Sequence, residues 1–371
     1  MGIDVIERIS QKYGSDSDFV LVGGGNTSYK DEKYLYIKGS GTELATITAN
    51  DFVKMSRKSL DNIWDKAYSA ETNKRESEVL ADIMASKCPG EESKRPSVET
   101  LLHNLFPQSY ILHVHPAMIN GITCSKNGEE TIKKMFPDAI WVEETEPGYI
   151  LASKCRNLIS EYERKTEKKA NLLFLQNHGA FFASNSEEEM NTLVSSVMKI
   201  IKKKAKKAPN FSKAKANIQK ASVITDAIKC VLGEVFVNFT YNKEVARLCK
   251  SKEAFEILMR PMTPDHIVYG GAEPAFAEAI NCQHCAKKVI DSFKEKNGYT
   301  PKVIFVKDYG MFTIGQNEKD ALNVTNVWLD AIKISVYAQS FGGVHHMSPE
   351  MVDYIANWEA ENYRSSIALG K

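Results

Sequence analysis

Two histidines separated by one residue, in the sequence Tyr-Ile-Leu-His-Val-His-Pro, constrain this chain more than any other feature. The apolar, partly β-branched run from Tyr110 to Val114 predicts a short buried strand that ends before Pro116. Successive side chains of a strand alternate between its faces, so His113 and His115 are expected to point the same way. Two imidazoles on one face form half of a metal site. By itself the pair also fits two polar residues on an edge strand.

A third histidine and a carboxylate extend this pattern. The apolar run 171–176 predicts another strand, and His178 follows it just before a glycine, where the backbone can turn sharply. Upstream, Ser97 is the predicted N-cap of an amphipathic helix that carries Glu99 in its first turn. Three histidines and a glutamate at the ends of separate elements predict a catalytic metal site with three histidine ligands and an open position.

At these residues the chain resembles the class II (metal-dependent) aldolase and adducin family. The resemblance covers about Phe19 to Ile201. It rests on six motifs in order, namely Gly-Gly-Gly-Asn-Thr-Ser (23–28), Lys-Gly-Ser-Gly-Thr (38–42), Pro-Ser-Val-Glu-Thr (96–100), His-Val-His-Pro (113–116), Glu-Pro-Gly (146–148) and Gln-Asn-His-Gly (176–179). With Met-Thr-Pro-Asp-His at 262–266, the layout is most similar to the aldolase portion of rhamnulose-phosphate aldolase/dehydrogenase fusions, without a counterpart of the dehydrogenase half.

The resemblance implies a lyase that cleaves a ketose 1-phosphate of the rhamnulose or fuculose type to dihydroxyacetone phosphate and an aldehyde, through a metal-stabilised enediolate. His113, His115 and His178 would hold Zn²⁺ or another divalent metal such as Mn²⁺, Co²⁺ or Fe²⁺, and Glu99 would move the proton. The residues implied in substrate and phosphate binding are Gly25, Asn26, Ser28, Ser40, Gly41 and Ser97.

One position departs from the family pattern. Val98 stands where related enzymes have a second serine before the catalytic glutamate, which weakens the case for a phosphate ester; Lys38 or Arg95 is expected to compensate. A 4-epimerase for pentulose phosphates and a sugar-acid aldolase on the same site therefore remain open. So does a non-catalytic scaffold like adducin, although the histidines retained here argue against it.

The resemblance also implies an α/β layered fold with a mainly antiparallel central sheet between helices. We expect an aldolase domain over residues 1–205, a basic linker over 206–222 and a second lobe over 223–371. The lysine run at 202–207 belongs to a change in composition over 200–220 that indicates this boundary, and it lacks the interleaved aromatic residues of a nucleic-acid site. Local patterns predict a helix at 3–12, strands at 20–22 and 34–37, and a helix near 62–87.

The second lobe faintly repeats the first. Residues 172–184 align with residues 303–315 through shared phenylalanines and a glycine, and an amphipathic helix follows in both. His178 falls on Tyr309, so the second lobe is predicted to be a degenerate repeat without a metal of its own. A chance likeness of two strand-turn-helix units is the alternative.

Composition excludes several other classes. Net charge is +1, so no overall field draws the chain to nucleic acid or a membrane surface. An odd count of seven cysteines does not predict a disulfide framework, and the sequence shows neither a signal peptide nor an apolar run of transmembrane length. We therefore expect a cytoplasmic homo-oligomer that acts on a small phosphorylated sugar.

Three further polar groups are predicted to have structural rather than catalytic roles. His103 lies four residues after Glu99 and is expected to support the site rather than bind the metal. The Cys282/Cys285 pair has the spacing of half a zinc knuckle, but no second pair follows and a helix is predicted over 275–294. The Asp265-His266 pair follows a proline and is interpreted as part of a turn.

Overall fold

Two β-sheets organise the chain in the computed structural model, which describes residues 2–360 and residue 363. The strands are β1 (Asn26–Lys30), β2 (Tyr34–Lys38), β3 (Phe52–Ser56), β4 (Tyr110–Val114), β5 (Ile140–Val142), β6 (Leu172–Leu175), β7 (Gly179–Ser184), β8 (Phe236–Thr240), β9 (Ala275–Ala277), β10 (Val303–Val306) and β11 (Gly310–Gly315). The helices are α1 (Gly2–Gly14), α2 (Arg57–Asp61), α3 (Thr72–Ala85), α4 (Thr100–Leu105), α5 (Ala117–Thr123), α6 (Gly128–Met135), α7 (Tyr149–Thr166), α8 (Glu187–Lys204), α9 (Ile218–Leu232), α10 (Lys243–Leu248), α11 (Lys252–Phe255), α12 (Pro264–Gly270), α13 (Gln283–Asn297), α14 (Glu318–Ala338) and α15 (Pro349–Asn357). Short 3₁₀ helices lie at Ala49–Asp51, Asn62–Asp65, Glu256–Leu258 and Gln339–Phe341. Among the described residues, no helix is long and apolar enough to cross a membrane.

The first sheet has seven strands in the order β3-β2-β1-β4-β7-β6-β5. Every neighbouring pair is antiparallel except β5 and β6. One face packs on α1, α5, α6 and α8, and the other on α2, α3, α4 and α7. The predicted layered α/β fold with a mainly antiparallel sheet between helices is thus confirmed.

Strand β4 lies in the middle of this sheet and carries His113. Its bounds match the predicted strand, and all five of its residues are buried. Leu112 and Val114 belong to the core on one face of the sheet, and Ile111 belongs to the core on the other. His113 therefore lies on the face of Ile111, as the alternation of a strand requires.

Three local predictions in the first sheet's region were wrong. Residues 20–22 are irregular and enter a turn at Val22, which has φ 51°, because Leu21 and Val22 pack on a cluster from α12, α14 and α15 and do not pair in a sheet. The predicted helix at 62–87 is a 3₁₀ turn, an irregular stretch and α3. Helix α4 begins at Thr100, so Glu99 is the N-cap, and the Ser97 hydroxyl accepts a hydrogen bond from the Glu99 amide.

The second sheet repeats part of the first in topology. Its order is β8-β11-β10-β9, with β9 and β10 parallel and the other pairs antiparallel, which is the pattern of β4-β7-β6-β5. Segment 303–315 forms two strands joined by a turn, as 172–184 does, so the expected helix start lies further on, at Glu318. A left-handed residue stands at the same place in both turns, Asn177 at φ 55° and Asp308 at φ 61°. These matches support a repeat over a chance likeness.

The strand register of the second sheet shows which residues occupy the positions of the three histidines. His113 pairs with Phe181 in the first sheet, and Phe239 pairs with Phe312 at the corresponding place in the second. Counting along the chain from these pairs, Tyr241 takes the position of His115 and Tyr309 takes that of His178. An aromatic side chain thus replaces each candidate ligand in the second sheet.

Helix α14 joins the two parts of the molecule. It covers one face of the second sheet and also packs along α5 of the first. The amide of Asn177, beside the candidate ligand His178, donates hydrogen bonds to the carbonyls of Met262 and His345, at 3.0 and 2.9 Å.

The domain boundaries remain a prediction. Residues 218–222 of the predicted linker lie in α9. The helix predicted over 275–294 begins only at Gln283, because 275–277 form β9.

Candidate metal centre and active site

Three imidazoles converge where β4 ends and β6 turns into β7. The Nε2 atom of His113 lies 2.9 Å from Nε2 of His115 and 3.4 Å from Nε2 of His178. One ring nitrogen from each histidine lies within 4.8 Å of the others, as the ligands of one metal ion require. The structure therefore brings together the three ligands that the sequence predicts.

The other ring nitrogens of two of these histidines face acceptors. Nδ1 of His113 lies 3.0 Å from the carbonyl oxygen of Ala180, and Nδ1 of His115 lies 2.6 Å from Oδ2 of Asp265. A carbonyl or carboxylate oxygen can only accept a hydrogen bond, so each Nδ1 carries a proton, and Nε2 is the nitrogen that faces the centre and can bind a metal when it is unprotonated. This donor set fits a divalent metal of the zinc type.

Burial keeps the third imidazole neutral. Desolvation, followed by the nearby His113 and His115, lowers the pKa of His178 to about 3. A neutral ring has a free lone pair at pH 7, which is the form that binds a metal.

Glu99 lies beside the histidines, where α4 begins. Its Oε1 atom is 3.3 Å from Nε2 of His113 and 3.8 Å from Nε2 of His178, and its side chain is buried. The amide of Asn26, at the start of β1, donates to Oε2. One carboxylate oxygen is thus held by an amide, and the other faces the space among the imidazoles.

A small polar cavity opens in front of Glu99. Five of the six residues predicted to bind substrate line it, namely Gly25, Asn26, Ser40, Gly41 and Ser97. His115, His178 and Lys38 line the same cavity, as do Pro264 and Trp358 from the second lobe. Gly25 has φ 69°, and a Cβ there would lie 2.9 Å from the carbonyl oxygen of His113, so this close turn requires glycine.

Ser28 does not reach this cavity. It lies on β1, fully buried, with its hydroxyl oxygen 2.8 Å from Nδ1 of His103. Side chains two residues apart on a strand share a face, but the cavity lies at the strand's beginning and Ser28 is further along. His103 is also buried and belongs to the polar support behind the site, outside the group of three histidines. We therefore leave Ser28 out of the substrate contacts proposed below.

Lys38 and Arg95, the two cationic residues expected to compensate for Val98, lie in different places. Lys38 is buried at the end of β2, and its ammonium group donates to the carbonyl of Gly23 at 3.3 Å. Arg95 instead forms a two-pronged ion pair with Glu359, at 2.6 and 3.1 Å, and does not line the cavity. Lys38 is therefore the cation placed to meet an anionic substrate.

Asp265 is the functional candidate that sequence reasoning missed. It lies in the first turn of α12, is buried, and is hydrogen bonded to a candidate ligand 150 residues away in the chain. The motif Thr-Pro-Asp has the form of a helix start with proline at its first position, which gives no indication of a distant partner. The signal that the sequence offered was the position of Asp265 in the motif Met-Thr-Pro-Asp-His at 262–266.

Comparison with known proteins agrees with the motifs. Residues 6–202 match the model of the class II aldolase and adducin N-terminal domain family. A curated relative, the uncharacterized oxidoreductase YuxG of Bacillus subtilis, is 28% identical over 188 residues, which is 48% of this chain and 26% of the relative's length.

Solved structures show weaker likeness. The N-terminal class II aldolase domain of a conserved Thermoplasma acidophilum protein has a TM-score of 0.46 and 23% identity, over 55% of this chain and 93% of that one. L-fuculose-1-phosphate aldolase from Thermus thermophilus has a TM-score of 0.34 and 13% identity, over 54% and 90%. The family model, which covers more than half of the sequence, carries the assignment: the chain belongs to the class II aldolase and adducin family.

Proposed function

We propose that this protein is a metal-dependent aldolase that cleaves a ketose 1-phosphate to dihydroxyacetone phosphate and an aldehyde. The observation that carries the proposal is the convergence of three imidazole nitrogens with Glu99, whose carboxylate oxygen is 3.3 Å from the nearest of them. This arrangement supports chemistry over an adducin-like scaffold, which needs neither the histidines nor a buried carboxylate beside them.

His113, His115 and His178 hold the metal, for which zinc, manganese, cobalt and iron(II) are the candidates. When bound, the divalent ion supplies a Lewis acid that polarises the substrate carbonyl and stabilises the negative charge that develops on cleavage. Asp265 fixes the tautomer and orientation of His115 through the 2.6 Å contact between Oδ2 and Nδ1.

Glu99 carries out the proton transfer at the carbon next to the substrate carbonyl. Its free oxygen faces the histidines, and the Asn26 amide holds the other oxygen, so the carboxylate is oriented before substrate binds. Burial in the mouth of the cavity keeps bulk water from competing for that proton.

The small polar loops bind the anionic end of the substrate. Ser40, Ser97 and Asn26 supply hydrogen-bond donors, the glycines at 25 and 41 let the backbone approach closely, and Lys38 supplies positive charge. In this arrangement Lys38 provides the affinity for the anion that a second serine would supply in place of Val98.

Val98 also favours one specific alternative. Val98 places an apolar side chain in the cavity wall, where a second serine would offer a hydrogen bond. A carboxylate is smaller than a phosphate and is therefore a second candidate for the bound anion. An enzyme that binds a carboxylate here would be a sugar-acid aldolase. A pentulose-phosphate 4-epimerase uses the same site but forms no three-carbon fragment.

Product analysis tests the proposal. Purified protein loaded with zinc or manganese is incubated with a panel of ketose 1-phosphates, pentulose phosphates and sugar acids, and dihydroxyacetone phosphate is detected by a coupled reductase. Release of dihydroxyacetone phosphate from a ketose 1-phosphate, absent in Glu99→Gln, supports the proposal. A pyruvate-type product from a sugar acid, or epimerisation without cleavage, assigns one of the alternatives.

A further inference from the structure

Two cysteines of the second lobe lie side by side at a helix start that the proposed aldolase reaction does not use. Cys282 is the N-cap of the 15-residue helix α13, and Cys285 lies in its first turn. Their Sγ atoms are 3.2 Å apart, with Cys282 exposed and Cys285 partly exposed. The two sulfurs are therefore close enough for direct exchange and accessible to a small molecule.

The surroundings of Cys282 favour its thiolate. Hydrogen bonds from the backbone amide and the thiol of Cys285, then from the amide of His284, lower the pKa of Cys282, and the nearby Lys220 acts in the same direction. The ammonium group of Lys220 is held close by a hydrogen bond to the side chain of Asn281. A thiolate at a helix N-terminus beside a cation is the form of cysteine that acts as a nucleophile.

The position in the fold is that of a redox helix. Strands β9 and β10 are parallel neighbours, and α13 is the crossover between them, so the Cys-x-x-Cys sequence opens the helix of a β-α-β unit. A Cys-x-x-Cys sequence near such a unit is typical of thiol–disulfide chemistry. The corresponding helix of the first lobe, α7, begins with Gly148 and Tyr149 and has no such pair.

Four other cysteines of the chain lack the exposure of this pair or its thiol neighbour. Cys124, Cys155 and Cys249 are buried, and burial raises the pKa of each of them. Cys230 is exposed and close in space, since its carbonyl accepts a hydrogen bond from Gln283, but the structure gives it no thiol neighbour. Cys230 is thus an internal control for exposure without pairing.

We propose that Cys282 and Cys285 form a redox-active dithiol that undergoes exchange with low-molecular-weight disulfides. The Cys282 thiolate attacks one sulfur of the small disulfide, whose S–S bond breaks and releases one thiolate. Cys285 then loses its proton and attacks the Cys282 sulfur, which forms the intramolecular disulfide and releases the second thiolate. The dithiol gives up two electrons and two protons, and the small disulfide takes them up as two thiols.

A structural zinc site is the competing use of the same pair. Two cysteines supply only half of a tetrahedral site, and among the described residues the pair belongs to no group of three or more ligand side chains. Metal binding by the reduced pair is therefore an outcome that the experiment must detect.

The experiment uses the full-length protein, reduced and then incubated with oxidised glutathione without air. Remaining thiols are alkylated, and the peptides are mapped by mass spectrometry. The wild type is expected to form a Cys282–Cys285 disulfide that dithiothreitol reverses. Cys285→Ser is expected to accumulate a glutathione adduct on Cys282, about tenfold faster than on Cys230 in the same molecule. Cys230→Ser is expected to behave as the wild type does.

Three results would overturn the proposal. The first is that both cysteines are still free thiols, and are alkylated, after incubation with oxidised glutathione. The second is that Cys230 gains the adduct as fast as Cys282 does. The third is that the reduced pair holds zinc that blocks the reaction. Because all of these readouts are independent of sugar cleavage, they do not depend on the proposed aldolase activity.

Discussion

Oδ2 of Asp265 lies 2.6 Å from Nδ1 of His115, which links the second lobe directly to the candidate metal centre. Both side chains are about nine-tenths buried. A buried carboxylate that accepts a hydrogen bond from Nδ1–H fixes the tautomer of the imidazole and increases its basicity at Nε2. The second lobe has no histidine group of its own within the described residues, yet it supplies this support to the first.

Asp265→Ala should weaken metal binding. Loss of the partner of a metal-binding histidine typically reduces affinity about tenfold to a hundredfold. Affinity for Zn²⁺ is measured by competition with a chromogenic chelator, and the thermal stability of the metal-free protein is measured in parallel. The zinc affinity of Asp265→Asn should lie between those of wild type and Asp265→Ala, because the side-chain oxygen of asparagine still accepts a hydrogen bond from Nδ1–H.

Asp330→Asn is the matched control for that variant. Asp330 lies in the second lobe 3.5 Å from Nε2 of His266, so it pairs with a histidine outside the metal group. Equal zinc affinity in wild type, Asp265→Ala and Asp330→Asn would show that Asp265 does not act on the metal.

The candidate ligands were predictable because their signals are local. Because side chains alternate along a strand, the sequence alone predicts that His113 and His115 share a face. The glycine that follows His178 indicates that this histidine lies in a turn. Each pattern is contained in a few neighbouring residues. Asp265 was not predictable, because its partner lies 150 residues away and only tertiary packing brings them together. The position of Ser28 outside the cavity was not predictable for the same reason: its partner, His103, belongs to a different element.

Residues 20–22 illustrate a second limit. An apolar run of Val-Leu-Val is typical of a buried strand, but here it is an irregular segment in which Leu21 and Val22 pack on the second lobe. Periodicity cannot separate burial in a sheet from burial under another lobe. The predicted internal repeat, in contrast, rests on a signal within the sequence, because two phenylalanines, a glycine and a glutamate recur at the same spacing.

Glu99→Gln should abolish most turnover and leave the fold and the metal in place. Glutamine has the same shape but cannot take up a proton, so turnover should fall at least about a hundredfold. Steady-state kinetics measure the loss, and elemental analysis and thermal unfolding serve as controls. Near-normal turnover with intact metal would assign proton transfer to another group.

Lys38→Met should weaken binding of an anionic substrate. A charge-assisted hydrogen bond contributes about 1.5–3 kcal/mol, so KM should rise about tenfold to a hundredfold with a smaller change in kcat. Arg95→Met is the control, because Arg95 is paired with the exposed Glu359 outside the cavity. If KM responds equally to both substitutions, Lys38 is not the anion contact.

Removing the chain after Lys220 should yield insoluble protein or protein with weak metal binding. The truncation exposes the side of α5 that packs on α14, and it removes the carbonyls that accept hydrogen bonds from the amide of Asn177. Soluble yield and size-exclusion chromatography measure the first effect, and zinc affinity measures the second. A soluble truncated protein with wild-type zinc affinity would contradict the proposed support from the second lobe.

Elemental analysis of the purified protein tests the central claim most directly. After mild purification, or after zinc or manganese is added and excess is removed, the wild type should hold about one divalent ion per chain, and His178→Ala should hold far less. His178 is the ligand to replace because it lies in the turn between β6 and β7, outside the strands that form the core. Wild-type protein that retains no metal under either condition, or His178→Ala that retains as much as wild type, would contradict the account.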